Sequence, residues 1–286
     1  MNGRIVAAFG RNFLVEADDG RVIHCLARGK DAVLACGDRV QLTATGADGA
    51  VIEAVDPRSN LLLRSSLHRA KLIAANADQA AIVCAVDPSF SDELVMRASL
   101  AAASAGMSAF IILNKVDLAG PAEAARARLQ SFARAGQRIV ELSARDDASP
   151  LAPLLAGRTT VLIGQSGMGK STLVNALVPG AAAATNEISR FLASGRHTTT
   201  ASRLYRLGQG TAVIDTPGMK EFGLAHVGRE AMAALVPDIA PLAGRCRFRD
   251  CRHESEPGCA LLEALQAGRL NARRFELYQR IVASPA

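Results

Sequence analysis

The chain has no tryptophan, two tyrosines and nine phenylalanines among 286 residues. Stacking of bases on aromatic rings is therefore not expected to dominate any nucleic-acid contact, which leaves phosphate and shape contacts. Long apolar runs are also missing. The longest, residues 80–86 and 110–113, are strand-sized and fall well short of the ~20 residues a membrane-spanning helix needs. The start, Met1-Asn2-Gly3-Arg4, lacks the apolar stretch of a secretory signal. These absences lead to the expectation of a cytoplasmic protein with no membrane partner.

What is there begins with charge. The net value is +6 with a pI near 9.3, which favours an acidic partner such as nucleic acid. Residues 1–65 balance eight basic against eight acidic side chains, and residues 66–240 carry seventeen against fourteen. Residues 241–286 carry eight against five, so the tail is the most basic part for its length. Cys25, Cys36 and Cys84 are scattered and read as small buried apolar residues.

Residues 1–55 alternate short apolar runs with Gly and Asp turns, the pattern of an all-β domain. Strands are expected at 4–8, 13–17, 22–26, 38–43 and 50–55. Five strands in so short a span fit an OB-fold barrel, with an SH3-like barrel as runner-up. Residues 56–60, Asp-Pro-Arg-Ser-Asn, read as a linker. From 74 to 223 strands alternate with helices, as in a parallel sheet with crossovers. Strands fall at 79–84, 109–113, 138–142, 160–163 and 212–214, and helices at 92–105, 121–135 and 170–177. Residues 181–201 have no clear periodicity and are expected to form a mobile loop. After 223 the pattern is mainly helical.

Gly164-Gln165-Ser166-Gly167-Met168-Gly169-Lys170-Ser171 matches G-x-x-x-x-G-K-[ST] in full. It follows an expected strand and opens an expected helix, a context that a chance glycine-rich turn would lack. Such a loop folds backbone N–H groups around phosphates at a positive helix end. Lys170 is expected to reach the β- and γ-phosphates, Ser171 to ligate Mg²⁺, and Thr172 to follow it in the same contact set. Asp215-Thr216-Pro217-Gly218 follows another strand. Alone it could be an ordinary turn. Beside a P-loop, Asp215 can hold Mg²⁺ through water and the Gly218 N–H can sense the γ-phosphate.

Asn114-Lys115-Val116-Asp117 sits at a strand end, where open α/β sheets bind ligands. The Asp117 carboxylate can accept both N1–H and the 2-amino group of guanine, donors that adenine does not offer there. Asn114 would brace the base loops, and the Lys115 stem would cover one face of the ring. Ser143-Ala144-Arg145 offers a second base-contacting loop. These base-reading motifs precede the P-loop, whereas in the common order they follow it. The chain that leaves Asp215 therefore runs into the C-terminal region, to which any switch movement is covalently tied.

Cys246-x₄-Cys251-x-His253-x₅-Cys259 supplies four ligands within fourteen residues. That suits a closed tetrahedral Cys₃His zinc site, structural and not catalytic. Free thiols crowded by coincidence are the alternative. Arg245, Arg247, Arg249 and Arg252 interleave with the ligands, and Arg273, Arg274 and Arg280 follow on an expected helix. They read as RNA contacts, with a solvated face as the blander account.

Arg196-His197-Thr198-Thr199-Thr200 lies between the P-loop and D-T-P-G. A threonine hydroxyl there can complete the Mg²⁺ shell when the γ-phosphate is bound. Thr199 is the choice, with Thr198 and Thr200 left open. Where a water-orienting glutamine often follows the glycine of D-x-x-G, this chain has Met219. Intrinsic hydrolysis is expected to be slow, with help from His197 or from a bound partner. A simple structural role for His197 is the competing account.

Together these residues resemble the bacterial ribosome small-subunit-dependent GTPase A family. The resemblance spans nearly the whole chain: the barrel, residues 55–64, Asn76-Ala77-Asp78-Gln79, N-K-V-D, the P-loop, residues 196–200, D-T-P-G and the metal spacing. It implies an OB-fold over 1–65, a circularly permuted α/β P-loop GTPase domain over 66–224 and a helical zinc-binding domain over 225–286. It also implies GTP as substrate and GDP as product, Mg²⁺, one structural zinc ion per chain and a monomer. The implied partner is the small ribosomal subunit with its rRNA, in late maturation and with the GTPase stimulated by the subunit. A kinase of small molecules, and an RNA-binding adaptor with nucleotide as a structural ligand, are the rival readings.

Overall fold

Alternation of inward apolar and outward polar residues closes the first segment into a barrel. The strands are β1 (Asn2–Phe9), β2 (Asn12–Ala17), β3 (Val22–Ala27), β4 (Arg39–Ala44) and β5 (Gly49–Val55). They pair in the order β1-β2-β3-β5-β4, and β4 returns to β1 with Gly3 opposite Val40. This is the closed five-stranded arrangement expected. Ile5, Phe13, Val15, Cys25, Val40, Leu42, Ala50 and Ile52 fill its interior. The computed structural model describes residues 1–29, 33–46, 49–66, 69–178, 180–181 and 201–284.

The stretch that joins the barrel to the second unit is tied down along its length. Arg58 grips buried Asp38 through two hydrogen bonds of 2.6 and 2.8 Å, and Asn60 donates to the Ala77 carbonyl at 2.7 Å. Between them and the α/β region lies a hairpin, β6 (Leu61–Ser65) with β7 (Ala70–Ala75). The sequence reading contained no strands there. Leu62, fully buried, anchors the hairpin in the larger core.

The second unit is a sheet in the order β10-β9-β8-β11-β13-β12. Its strands are β8 (Gln79–Ala85), β9 (Ser108–Asn114), β10 (Ile139–Leu142), β11 (Thr159–Ile163), β12 (Arg203–Gly208) and β13 (Thr211–Asp215). All but β12 run parallel. Every residue of β8 and β11 is buried, which is why neither alternates apolar with polar residues. Helices α1 (Asp92–Ser104), α2 (Ala119–Arg134), α3 (Ala152–Leu155) and α4 (Lys170–Leu177) provide the crossovers. Ser91 caps α1 by accepting from the Leu94 N–H at 3.2 Å, and Asp92 and Glu93 sit in its positive first turn. β12 is the third strand that the sequence reading missed. It joins the barrel to this sheet through Ala7 opposite Arg203 and the Arg206–Glu16 ion pair.

The last part is helical: α5 (Arg229–Leu235), α6 (Ala260–Gln266) and α7 (Ala272–Ala283). α7 packs against α1 and α2. Buried Asp92 at the start of α1 accepts from both Arg128 of α2 and Arg273 of α7. None of the helices among the described residues is long and apolar enough to cross a membrane. The expected loop with Arg196, His197, Thr198, Thr199 and Thr200 lies outside the described residues, apart from its flanks.

Candidate nucleotide and metal sites

Parallel strands place their carboxyl ends along one edge, and the chemical motifs emerge there. Asn114 ends β9, Asp215 ends β13 and the P-loop follows β11. Asn114 is 1% exposed, and its side chain fastens three loops. Nδ2 donates to the Met168 carbonyl at 3.0 Å. Oδ1 accepts from the N–H groups of Lys115 at 2.8 Å and Ala144 at 2.9 Å. Lys115 is held at φ +64, a left-handed conformation uncommon for a residue with a Cβ. Its Nζ donates to the Asp87 carbonyl at 2.7 Å, which lays the aliphatic stem along the wall of the cavity.

Two glycines are required by close approach. Gly169 has φ +87, and a Cβ there would lie 2.3 Å from Asn114 Nδ2. A Cβ on Gly218 would lie 2.9 Å from the Ser166 backbone. The D-T-P-G loop is further held by Thr216 Oγ1, which donates to the Leu162 carbonyl at 2.5 Å, and by the Met219 N–H, which donates to the Gly164 carbonyl at 3.1 Å. The Met219 side chain is buried in the core.

Lys170 is buried, and its Nζ donates to the Gly164 and Gln165 carbonyls at 2.8 and 2.9 Å. Burial pulls its pKa below the ordinary lysine value, partly offset by the Asp215 charge. Burial likewise raises the Asp215 pKa, against the opposing pull of Lys170. Asp215 Oδ1 is buried with no hydrogen-bond partner. A carboxylate oxygen in that condition is suited to a cation or to water held by one.

All of this surrounds one cavity of about 660 Å³, the size of an ordinary ligand site. Asn114, Lys115, Asp117, Ser143, Ala144, Ser166, Gly167, Met168, Gly169, Lys170, Ser171, Thr172, Asp215 and Gly218 line it. Asp117 and Lys170 thus open into the same space. Gly164 and Gln165 stand behind the wall: Gly164 offers its carbonyl to Lys170 and Met219, and Gln165 Oε1 accepts from the Ser91 N–H at 2.7 Å. The loop of residues 87–91 was missed by the sequence reading. Pro88 packs over Gly167, and Asp87 holds Lys115. Its position after β8, between the two strands that carry the ligand motifs, is the signal that could have found it.

The four expected metal ligands converge. The donor atoms of Cys246, Cys251, His253 and Cys259 lie within 4.8 Å of one another. Cys246 and Cys259 sulfurs are 3.9 Å apart, and His253 Nδ1 lies 3.5 and 3.3 Å from them. A zinc tetrahedron with ~2.3 Å Zn–S and ~2.0 Å Zn–N bonds has edges of about 3.5–3.8 Å. The donor set and its spacing fit that ion. The cysteines are free thiols, with no disulfide among the described residues. His253 takes φ +63 in a turn that Glu256 organises. The Glu256 carboxylate accepts from the N–H groups of Arg252, Glu254 and Ser255 at 2.6, 2.8 and 3.1 Å, which pull its pKa down to about 2. The sequence reading did not single out Glu256.

The arginine expectation divides. Arg274 is buried and bound to Asp238 at 2.7 and 2.8 Å, and Arg273 is bound to Asp92. Both hold α7 in place, Arg273 against the start of α1 and Arg274 against the segment after α5. Arg274, buried, is not free for RNA; Arg273 is half-exposed. Arg245, Arg247, Arg249, Arg252 and Arg280 are exposed.

Comparison with known proteins agrees with this geometry. The chain is 48% identical to a protein of Nitrosospira multiformis named small ribosomal subunit biogenesis GTPase RsgA, over 99% of this chain and 91% of that one. A Bordetella pertussis protein of the same name is 51% identical, over 98% and 95%. Among solved structures, YjeQ from Thermotoga maritima superposes with a TM-score of 0.73 at 28% identity, covering 99% of this chain and 97% of that one. YloQ, described as a circularly permuted GTPase, gives 0.69 at 26% identity, covering 99% and 93%. The family model described as RsgA GTPase matches residues 55–225, a span that contains every nucleotide motif, and the chain belongs to that family.

Proposed function

We propose that this protein hydrolyses GTP in the biogenesis of the small ribosomal subunit, binding the subunit and its rRNA when loaded with GTP and leaving after hydrolysis. The observation that carries the reading is the single cavity into which both Asp117 and Lys170 open. Guanine lies against Asp117, with the Lys115 stem on one ring face and the Ser143–Ala144 backbone behind. The phosphates lie in the P-loop, where Gly167 and Gly169 let the N–H groups close around them. Lys170 leaves its two carbonyl partners for the β- and γ-phosphates.

Ser171, Asp215 and a threonine of the 198–200 run, Thr199 by choice, would hold Mg²⁺. When bound, that ion supplies neutralisation of phosphate charge. Hydrolysis then needs a water aligned with the γ-phosphorus. Met219 is buried and has no hydrogen-bonding group to offer, so intrinsic turnover is slow and the subunit supplies the alignment, with His197 as the candidate from this chain. The Cys₃His cluster holds one structural zinc ion. The protein acts as a cytoplasmic monomer.

The deciding experiment is GTP turnover with and without purified small subunits, comparing wild type with Ser171→Ala. Stimulation by subunits in wild type, lost in the variant, supports the reading. Absence of phosphate release with subunits present would replace it with the adaptor reading. Preference for ATP over GTP in a binding titration would replace it with the kinase.

A further inference from the structure

Phe248 is 43% exposed, the one aromatic side chain among the described residues with so much surface in water. The chain is poor in aromatics, and among the described residues every other Phe and Tyr is buried or half-buried. A lone exposed apolar side chain is ordinary. This one has a setting that is not. It sits between Cys246 and Cys251, so the backbone on both sides is pinned by the metal cluster. The Arg247 N–H adds a hydrogen bond to the Gly258 carbonyl at 3.0 Å. The Arg247 guanidinium lies over the ring, 5.5 Å from its centroid. Arg245, Arg249 and Arg252 lie within four residues of Phe248 in the chain and are exposed, and none of these four guanidinium groups takes part in an ion pair among the described residues.

An exposed ring in a tied-down loop that also carries four unpaired guanidinium groups matches an unstacked nucleotide. The ring offers a stacking face to a base and the arginines pair with flanking phosphates. Duplex RNA offers only phosphates here, because its bases are already stacked. We propose that the loop of residues 246–251 recognises an unpaired nucleotide of RNA, with Phe248 as the stacking platform. This rests on the ribosomal reading above and narrows it, from rRNA in general to a single-stranded or looped element at this surface.

The test uses the full-length, zinc-loaded chain and two fluorescein-labelled probes, a 12-nucleotide oligo(U) strand and a 12-base-pair RNA duplex. Phe248→Leu keeps apolar bulk and removes the ring, while Phe248→Tyr keeps the ring. Stacking on one aromatic contributes a factor of about ten or more to binding. Phe248→Leu should weaken the single strand by that factor and leave the duplex unchanged, whereas Phe248→Tyr should match wild type with both. Arg247→Gln should weaken both probes and lower the salt dependence by about one counterion. Zinc content and basal GTP turnover of each variant should equal wild type, which separates recognition from folding.

Equal binding of oligo(U) by Phe248→Leu and wild type overturns the proposal, as does equal loss on both probes or no binding of oligo(U) by wild type. If Phe248→Leu binds oligo(U) normally yet loses affinity for small subunits, Phe248 docks on protein and the proposal is also wrong. Turnover stimulated by subunits is read separately in the same samples, so failure of the ribosomal reading is seen independently.

Discussion

The Asn114 amide donates to the Met168 carbonyl at 3.0 Å, and this contact joins the guanine-reading loop to the phosphate loop. Asn114→Ala strips a buried site of three hydrogen bonds at once. Each stranded buried group costs about 1–3 kcal/mol. The variant should lose about 3 kcal/mol or more of stability and bind a fluorescent GDP analogue at least ~10-fold more weakly. Normal nucleotide affinity in a destabilised variant would show that the loops are aligned by other means.

Specificity for guanine should reside in Asp117. Asn at this position presents an amide donor where xanthine carries a carbonyl and guanine carries an amino group. Asp117→Asn is expected to lower GTP affinity by about 10²-fold or more, the scale set by an unpaired buried polar group, and to gain XTP binding. Competition between GTP and XTP for the labelled site measures both.

Asp215 has a buried oxygen without a partner, and its pKa is raised by burial despite Lys170 nearby. Function here costs stability. Asp215→Asn should raise the melting temperature of the nucleotide-free protein, by about 2–4 °C for each kcal/mol relieved, while GTP turnover collapses. A variant that is both inactive and less stable would contradict this account.

The junction between β6 and the chain after D-T-P-G contains a histidine sensitive to pH. Ser65 Oγ accepts from the His226 backbone N–H at 2.9 Å and is hydrogen-bonded to His226 Nδ1 at 2.7 Å. Burial lowers the His226 pKa below the ordinary 6.5. Stability from burying the neutral ring is therefore present above pH 6.5 and is lost as pH falls through the depressed value. The difference in melting temperature between wild type and His226→Leu should shrink from pH 7 towards the acid range. A constant gap would remove the histidine from the junction's energetics.

Glu256 holds the turn that presents His253. Glu256→Ala should lose zinc to a chelator about 10–100-fold more readily, as expected when support behind a metal ligand is removed. Chelation of the wild type should release helicity from residues 229–283 and leave the barrel folded, as read by far-UV circular dichroism and proteolysis.

Much of the fold could be read from residue patterns, for reasons that particular elements make clear. β8 and β11 show no apolar–polar alternation because both faces are covered. The five barrel strands could be read from alternation. β6–β7 could not, because Ala70–Ala75 is short and alanine-rich, and its burial comes from tertiary packing. β12 escaped because half its residues are polar, as suits its place between the barrel and the parallel strands. At the site, side chains fixed by motif spacing were found, whereas contacts supplied by backbone were not. Asp87, for example, acts through a carbonyl that any residue would carry.

Permutation has a mechanical consequence here. Ser65 pairs with Leu224, only a short way downstream of Gly218, and the Arg64 guanidinium donates to the Glu221 carbonyl. The segment that leaves the phosphate end of the cavity is thus riveted to the β6–β7 hairpin before it enters the helical lobe. A displacement of Gly218 would pull on hairpin and lobe together, so a partner that clasps both could feel which nucleotide is held without touching it.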